Sequence, residues 1–183
     1  MPRFALPAFI LVLAAVSAFR AAAAEIPETL KAEEALNYRR AGAALATAGK
    51  PSVETLAKLK ELGFRTVIDL RQQAEGVEAA RKAVEAQGLR FVSVPVSPDT
   101  FTLEDAKKVE AVLSDQKSTP VLLFCASSNR VGAAIAVIEY RRGRSKEEAL
   151  AEGRKAGLKS LAMEKAAIRV MDPEPAAAAG RAK

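Results

Sequence analysis

Apolar residues along this chain change repeatedly between short continuous runs and longer stretches in which they recur every three or four positions. The short runs are rich in valine, isoleucine, leucine and phenylalanine, and they predict strands at residues 65–70, 90–94 and 121–125. The longer stretches predict amphipathic helices at residues 52–62, 76–87, 102–114, 130–142, 145–155 and 160–170. Strands that alternate with helices predict βαβ units, and therefore an α/β fold with a mainly parallel central sheet flanked by helices.

Capping signals mark several of these helix boundaries. Ser52 and Ser145 stand at N-cap positions, and Thr102–Asp105 has the spacing of a capping box. Gly63 and Gly143 follow the last apolar positions of their helices and are expected to end them. The first helix is expected to place four apolar residues on one face, namely Val53, Leu56, Leu59 and Leu62.

The first 24 residues have the features of a secretory signal peptide. A basic start at Met1–Arg3 precedes the apolar run Phe4–Phe19, and Ala21–Ala24 supplies small residues for cleavage. The apolar run is shorter than the roughly 18 residues expected of a membrane-spanning helix. We therefore predict an exported, periplasmic protein that is cleaved after Ala24 and has no stable membrane association afterwards. Arg20, within the cleavage region, leaves an uncleaved membrane anchor as the alternative.

The remaining chain is predicted to form one domain. Residues 25–45 are a weakly patterned leading segment, residues 46–171 form the domain, and residues 172–183 are expected to be a disordered tail of Pro, Ala and Gly. The pattern contains neither an internal repeat nor a second domain.

Charge and composition exclude several classes of function. The formal charge of the whole chain is +6, and removal of Arg3 and Arg20 with the signal lowers it to +4, which suits a small anionic or phosphorylated substrate. Aromatic residues make up 5% of the chain and do not alternate with basic clusters, so no nucleic-acid partner is expected. One cysteine and no histidine exclude an internal disulfide and the usual zinc sites. We predict no metal and no cofactor, and protein partners cannot be named from the sequence.

The cysteine itself marks the candidate site. Cys125 ends an apolar strand, and Ala126, Ser127, Ser128 and Asn129 lead to Arg130 at the start of a helix. Backbone N–H groups of such a turn, together with an arginine, form an anion-binding ring that would also favour a thiolate. The alternative is a buried, inert cysteine followed by an ordinary helix cap. Ligands of parallel sheets lie at the carboxyl ends of the strands, and Asp69 and Asp99 follow the other two strands in the same way.

Several segments, in this order, resemble the beta-lactamase hydrolase-like, protein-phosphatase-like family, which is related to the dual-specificity tyrosine phosphatases. They are Ala48–Ser52, Leu62–Arg71, Val94–Ser97, Phe124–Ala133 and Glu148–Arg154. The resemblance implies a three-layer cysteine-phosphatase fold, with Cys125 as nucleophile and Arg130 as phosphate clamp. It also implies a catalytic acid in the loop after residues 92–96, where Asp99 is the best placed and Asp105 is the competitor. Asp105 has a sufficient structural role in the capping box, and Asp69 is expected to hydrogen-bond near its strand end.

Two departures from the phosphatase pattern leave the chemistry open. Phe124 stands where such phosphatases carry a histidine, and four residues rather than five separate Cys125 from Arg130. One residue fewer shortens the loop by about 3.5 Å, and Ser128 in place of a glycine stiffens it further. A loop of this size is similar to that of the rhodanese-like sulfurtransferases. The sequence therefore allows phosphoester hydrolysis, persulfide transfer, or anion binding without catalysis.

Overall fold

The computed structural model of the protein describes residues 25–173, and a five-stranded sheet lies at its centre. In chain order the strands are β1 (Arg39–Arg40), β2 (Leu45–Ala48), β3 (Thr66–Asp69), β4 (Arg90–Ser93) and β5 (Val121–Phe124). Their order across the sheet is β1-β2-β5-β3-β4. Only the pairing of β1 with β2 is antiparallel, so the predicted mainly parallel sheet is confirmed.

Helices cover both faces of this sheet. They are α1 (Val53–Leu56), α2 (Val77–Glu85), α3 (Leu103–Ser114), α4 (Asn129–Arg141), α5 (Lys146–Lys155) and α6 (Leu161–Met171), with a 3-10 helix at Gln73–Glu75. One apolar core joins the sheet to α3, α4, α5 and α6, and a second joins it to α1 and α2. This is the three-layer α/β arrangement that the sequence predicted.

The central strand β5 contributes to both cores. Val121 and Leu123 face the core with α3–α6, whereas Leu122 and Phe124 face the core with α1 and α2. All four side chains are fully buried, as expected for a strand covered on both faces. Cys125 continues the alternation and faces the α3–α6 side.

The predicted first helix is shorter than expected. Residues 52–62 form only the single turn of α1, and the chain continues in turns to Gly63. The amide of Gln87 explains the interruption, because its Nε2 donates to the Leu56 carbonyl oxygen at 2.6 Å and its Oε1 accepts from the Lys60 N–H at 3.0 Å. These two backbone groups would otherwise bond each other in a continuing α-helix. Of the predicted apolar face, Leu56 and Leu59 are buried, whereas Val53 is 71% exposed.

Two strands lie in or next to the leading segment that the pattern left unassigned. β1 and β2 pair with each other, and β2 also pairs in parallel with β5. The sequence of β2, Leu-Ala-Thr-Ala, has little strand propensity of its own. Its small side chains Ala46 and Ala48 are fully buried beside β5, so tertiary pairing rather than local preference forms this strand.

The predicted chain ends fall mostly outside the described residues. The signal peptide (1–24) and residues 174–183 of the tail lie beyond them. Asp172, within the predicted tail, accepts from Tyr140 Oη at 3.2 Å and pairs with Lys146. Among residues 25–173, no helix has the length and apolar character needed to cross a membrane.

Candidate active site

Cys125 lies directly after β5, in the centre of the sheet's carboxyl edge. Its side chain is buried and free of disulfide bonding, and its N–H donates to the Ala48 carbonyl oxygen at 3.3 Å. The loop 126–128 then leads into α4, whose first residue is Asn129. The strand, loop and helix predicted around Cys125 are therefore present.

The segment after β2 supports this loop from one side. The Lys50 N–H donates to the Ala126 carbonyl oxygen at 3.1 Å, and Gly49 forms an isolated antiparallel bridge with Ser127. A Cβ atom on Gly49 would come within 3.1 Å of the Ala126 oxygen, so glycine allows the two backbones to approach closely. Asn37 Nδ2 adds a hydrogen bond to the Ser127 carbonyl oxygen at 3.4 Å.

Ser128 is the strained residue of the loop. It is fully buried and left-handed, with φ 69°, a conformation that non-glycine residues adopt rarely. Its hydroxyl makes no capping bond and has no partner among the residues that the structure describes. On its other side lies Gly157, where a Cβ atom would approach the Ser128 Cβ to 2.4 Å.

The side chain of Asn129 is committed to holding α4 against the start of α6. Its Oδ1 accepts from the backbone N–H groups of Lys159 and Ser160, both at 2.7 Å, and its Nδ2 donates to Ser127 Oγ at 3.1 Å. The Oδ1 of Asn129 is therefore occupied by these two N–H groups, and its backbone N–H remains for a ligand.

Several amides of the loop remain free to bind an anion. Within residues 25–173, the N–H groups of Ala126, Ser127, Asn129 and Arg130 donate to no protein acceptor. Unpaired N–H groups at the start of a helix favour negative charge. This part of the chain can thus form the ring of amides that the sequence predicted.

Arg130 is held by a carboxylate that the sequence did not single out. Its Nη1 and Nη2 donate to Glu75 Oε2 and Oε1, both at 2.6 Å. Nη1 also lies near the carbonyl oxygens of Val96 at 3.3 Å and Leu70 at 3.4 Å. The Nε–H has no acceptor in the described part of the chain, so the edge formed by Nε and Nη2 remains for a bound oxyanion.

Glu75 and Arg130 each stabilise the charged form of the other. The hydrogen bond from Arg130 lowers the pKa of Glu75 to about 2. In return, the hydrogen bond to Glu75 raises the pKa of Arg130, and the nearby Cys125 adds to that rise. Arg130 is therefore cationic at every physiological pH, and its guanidinium lies beside the sulfur.

A second ion pair, between Asp69 and Arg71, supports the segment that carries Glu75. Both residues are buried, and the guanidinium donates to both carboxylate oxygens, with an Nη2–Oδ2 distance of 2.7 Å. Arg71 Nη1 also donates to the Glu75 carbonyl oxygen at 2.9 Å, and its guanidinium lies 5.0 Å from the centre of the Phe124 ring. The expectation that Asp69 hydrogen-bonds near its strand end is correct.

The two other candidate acids differ in how they are engaged. Asp105 closes a capping box with Thr102, accepting from its N–H at 3.1 Å and from its hydroxyl at 2.6 Å. Asp99 is exposed in the turn after Pro98 and makes no hydrogen bond or ion pair to any described residue. The same loop reaches Arg130 through the Val96 carbonyl oxygen, so Asp99 belongs to a segment that borders the site.

Sequence reasoning singled out Cys125, the loop after it and Arg130, which the structure places together, but it missed Glu75. The sequence pattern did not mark Glu75 as a site residue, because a glutamate four residues after Arg71 looks like any other charged residue of a helix. No cluster of three or more potential metal ligands occurs among residues 25–173.

Comparisons with known proteins agree with this geometry. A family model described as "DSP-PTPase phosphatase fused to NAD+ Kinase" matches residues 13–170. A beta-lactamase hydrolase-like protein of Xylella fastidiosa (strain Temecula1 / ATCC 700964) is 28% identical over 109 residues, covering 57% of this chain and 25% of that protein. The chain thus spans about a quarter of the length of the curated relatives it matches.

Solved structures show the same fold. TpbA of P. aeruginosa in complex with pTyr matches with a TM-score of 0.60 and 20% identity, over 84% of this chain and 91% of that one. The core catalytic domain of the PP-IP phosphatase SIW14 from S. cerevisiae matches with a TM-score of 0.56 and 16% identity, over 73% and 83% of the two chains. The phosphatase-like fold and the family resemblance expected from the sequence are both confirmed. The protein belongs to the family described as DSP-PTPase phosphatase fused to NAD+ kinase.

Proposed function

We propose that the protein hydrolyses phosphate monoesters through a covalent phosphoryl–Cys125 intermediate. One observation carries the proposal: the Cys125 sulfur and the Arg130 guanidinium lie together at the end of β5, where the loop amides are unpaired. A phosphate dianion suits these donors, because charge-assisted hydrogen bonds to oxyanions are the strongest that proteins make. The binding of pTyr by TpbA supports a phosphoester as the ligand class.

The first step transfers the phosphoryl group to sulfur. The Cys125 thiolate attacks phosphorus, a sulfur–phosphorus bond forms, and the ester oxygen leaves with the electrons of its bond to phosphorus. Asp99, protonated, gives its proton to that leaving oxygen. The loop amides and the free edge of Arg130 bind the equatorial oxygens and stabilise the charge that develops on them.

The second step regenerates the enzyme. Asp99, now a carboxylate, takes a proton from a water molecule that attacks phosphorus. The sulfur–phosphorus bond breaks, the thiolate is restored, and inorganic phosphate leaves. Glu75 contributes in both steps by fixing the Arg130 guanidinium through two 2.6 Å hydrogen bonds.

Turnover of para-nitrophenyl phosphate tests this function. We expect activity in the wild-type protein, no activity in Cys125→Ser, and a loss of about 100-fold or more in Arg130→Ala, since removal of a transition-state oxyanion donor costs about 10²–10³-fold. Asp99→Asn should slow leaving groups that need a proton more than it slows para-nitrophenolate. Equal rates in the wild-type protein and Cys125→Ser would refute the proposal.

Phosphate that stabilises the fold without any turnover would instead indicate a non-catalytic anion-binding domain.

Sulfur transfer is the second candidate, favoured by the short loop and the left-handed Ser128. A persulfide sulfur is smaller than a phosphoryl group and would need a narrower ring of amides. Incubation with thiosulfate followed by mass spectrometry separates the two functions. One added sulfur on Cys125 without phosphatase activity would select sulfur transfer, whereas an unmodified cysteine would exclude it.

We also propose that the protein acts outside the cytoplasm. The basic start, the apolar run Phe4–Phe19 and the small residues Ala21–Ala24 support this location. Sequencing the N-terminus of the native protein from a periplasmic extract should give Glu25 as the first residue. Recovery in the membrane fraction with Met1 retained would instead show an uncleaved anchor.

A further inference from the structure

The structure contains a surface cavity, away from Cys125, between the edge of the sheet and two helices. It is a surface cavity of about 680 Å³, bounded by β1 and β2 on one side and by α4 and α5 on the other. Its volume falls within the roughly 300–1,000 Å³ range of small-molecule sites. Neither Cys125 nor any residue of the loop 126–130 lines it.

The walls of this cavity are aliphatic. Leu45, Leu113 and Ile135 line it, and each is partly buried against the core with α3–α6. Among the described residues that line the cavity there is no aromatic side chain on which a nucleobase could stack. The walls therefore suit an alkyl chain better than a flat ring.

The rim of the cavity is basic. Five cationic and two acidic side chains line it, and Arg40 also pairs with Glu28, outside the lining, at 2.9 Å. The carboxylates are already paired: Glu139 accepts from Arg142 at 2.9 Å and Arg144 at 2.7 Å, and Glu152 pairs with Lys155 at 2.9 Å. Four of the five cations are therefore paired, and a negatively charged ligand would meet the uncompensated charge of Arg39.

One cation and one hydroxyl in the cavity have no protein partner within residues 25–173. Arg39, which lines the cavity from β1, makes no ion pair or hydrogen bond through its guanidinium. Thr47 is 1% exposed, lines the same cavity from β2, and its Oγ1 has no hydrogen-bond partner. An unpaired buried hydroxyl is costly, so its presence at a cavity wall points to a ligand that supplies the partner.

The sheet register brings these two groups together. Arg39 stands directly opposite Thr47 across the β1–β2 pair, and opposite residues of an antiparallel pair place their Cβ atoms about 4.5–5.5 Å apart on one face. Leu45 lies on that face as well, because side chains alternate along β2. A guanidinium, a hydroxyl donor and an aliphatic wall are therefore adjacent.

We propose that this cavity binds a single-chain amphiphilic anion. Its oxyanion head accepts from Arg39 and from Thr47 Oγ1, and its aliphatic chain lies along Leu45, Leu113 and Ile135. The remaining basic residues of the rim add long-range attraction for the head group. This site is separate from the phosphatase chemistry and does not depend on it.

Calorimetric titration of the full chain with monomeric dodecanoate tests the proposal. We expect one dodecanoate per chain, with affinity that falls as salt is added. Dodecyltrimethylammonium, which has the same chain and the opposite charge, should bind at least tenfold more weakly. Equal binding of the cationic detergent would overturn the proposal.

Variants locate the binding site. Thr47→Val keeps the shape of the side chain, and Arg39→Gln removes an exposed charge; each should weaken dodecanoate binding about tenfold or more. Arg65→Gln removes an exposed charge outside the cavity and should leave binding unchanged, as should Cys125→Ser. Because the Thr47 hydroxyl is unpaired, Thr47→Val should unfold at the same temperature as the wild-type protein or a higher one when no ligand is present.

Two results would contradict the assignment. Dodecanoate affinity unaltered in both Thr47→Val and Arg39→Gln would place the ligand elsewhere. Retention on phosphatidylglycerol vesicles without any binding of monomeric dodecanoate would show a membrane-facing surface instead of a pocket. Arg39→Gln alone decides the test if Thr47→Val does not fold.

Discussion

At the scale of single residues, the site depends on a carboxylate that fixes a guanidinium. Glu75 accepts two 2.6 Å hydrogen bonds from Nη1 and Nη2 of Arg130. The edge formed by Nε and Nη2 then remains for substrate oxygens. Arg130 would otherwise have to lose side-chain entropy each time a ligand binds. Glu75 is a positioning residue in this account, since it acts on the substrate only through Arg130.

Replacing Glu75 tests that role. Glu75→Gln keeps the shape but removes the charge, and hydrogen bonds to charged groups contribute about 1.5–3 kcal/mol. We therefore expect kcat/KM for para-nitrophenyl phosphate to fall about 10–100-fold. Glu78→Gln is the matched control, because Glu78 is nearby and exposed and, within residues 25–173, pairs with Arg81 alone. Equal effects of the two substitutions would show that Glu75 has no special role.

The same pair predicts a pH dependence of stability. The pKa of Glu75 is about 2 in the folded protein, below its ordinary value of 4.5. A lowered folded-state pKa means that the pair stabilises the fold at pH values above about 4.5 and loses this effect as the pH falls towards 2. Urea unfolding between these pH values should show a decline in the wild-type protein that is smaller in Glu75→Gln. Parallel curves would contradict the prediction.

Arg71 should matter more for folding than for chemistry. It is 2% exposed and pairs with Asp69, which is fully buried, so its removal leaves an uncompensated carboxylate. Breaking one partner of a buried ion pair costs about 3–5 kcal/mol. We expect Arg71→Met to lower the free energy of unfolding by that amount in urea titrations. Arg81→Met is the control, because Arg81 also lies over an aromatic ring and forms ion pairs but is 32% exposed. It should cost less than about 1 kcal/mol.

Residue patterns predicted the capping box at Thr102 but not the ion pair between Glu75 and Arg130. The capping box of Thr102 and Asp105 was readable because both partners are three residues apart and belong to one helix turn. Glu75 and Arg130 are 55 residues apart, and their contact depends on how β3 and β5 lie side by side. Local spacing holds no information on such a pair.

At the scale of elements, the anion loop is shaped by the segments that pack against it. Gly49 supports it from the end of β2, and Gly157 from the end of α5. Both glycines allow a backbone approach that a Cβ atom would block. The left-handed Ser128 lies fully buried between these supports and α4.

Gly157→Ala should disturb the loop directly. The new Cβ would lie 2.4 Å from the Ser128 Cβ, at a residue whose φ is +112°. We expect kcat/KM to fall at least tenfold in protein that is still folded, because the clash moves the ring of amides. Gly143→Ala is the matched control, since its φ is +94° and nothing lies within 4 Å of the added Cβ. Similar kinetic losses in the two variants would mean that backbone strain, rather than the Ser128 contact, is responsible.

Elements with strong local signals were predicted well, and those formed by tertiary contacts were not. The helices from 102 to 171 agree with their capping and periodicity signals to within about one residue. The first helix failed because the distant Gln87 amide intercepts its hydrogen bonds. The sequence did not predict β2, because its alanines favour a helix or a loop. The strand forms through its pairing with β5.

At the scale of the whole molecule, the parallel sheet brings the site together. Cys125 follows β5, the Asp69–Arg71 pair ends β3, and the segment after β4 reaches Arg130 through Val96. The carboxyl ends of parallel strands meet at one edge, which is why the alternation of strands and helices predicted the location of the site. The cavity beside β1 was beyond prediction, because the pattern showed no strand there.

The most direct test of the account is rapid-quench mass spectrometry of the protein during turnover of para-nitrophenyl phosphate. The account predicts one phosphoryl group on Cys125 in the wild-type protein and none in Cys125→Ser. It also predicts that Glu75→Gln accumulates the intermediate more slowly, because its Arg130 is less well positioned. Turnover without any label on Cys125, or a label on another residue, would contradict the central claim.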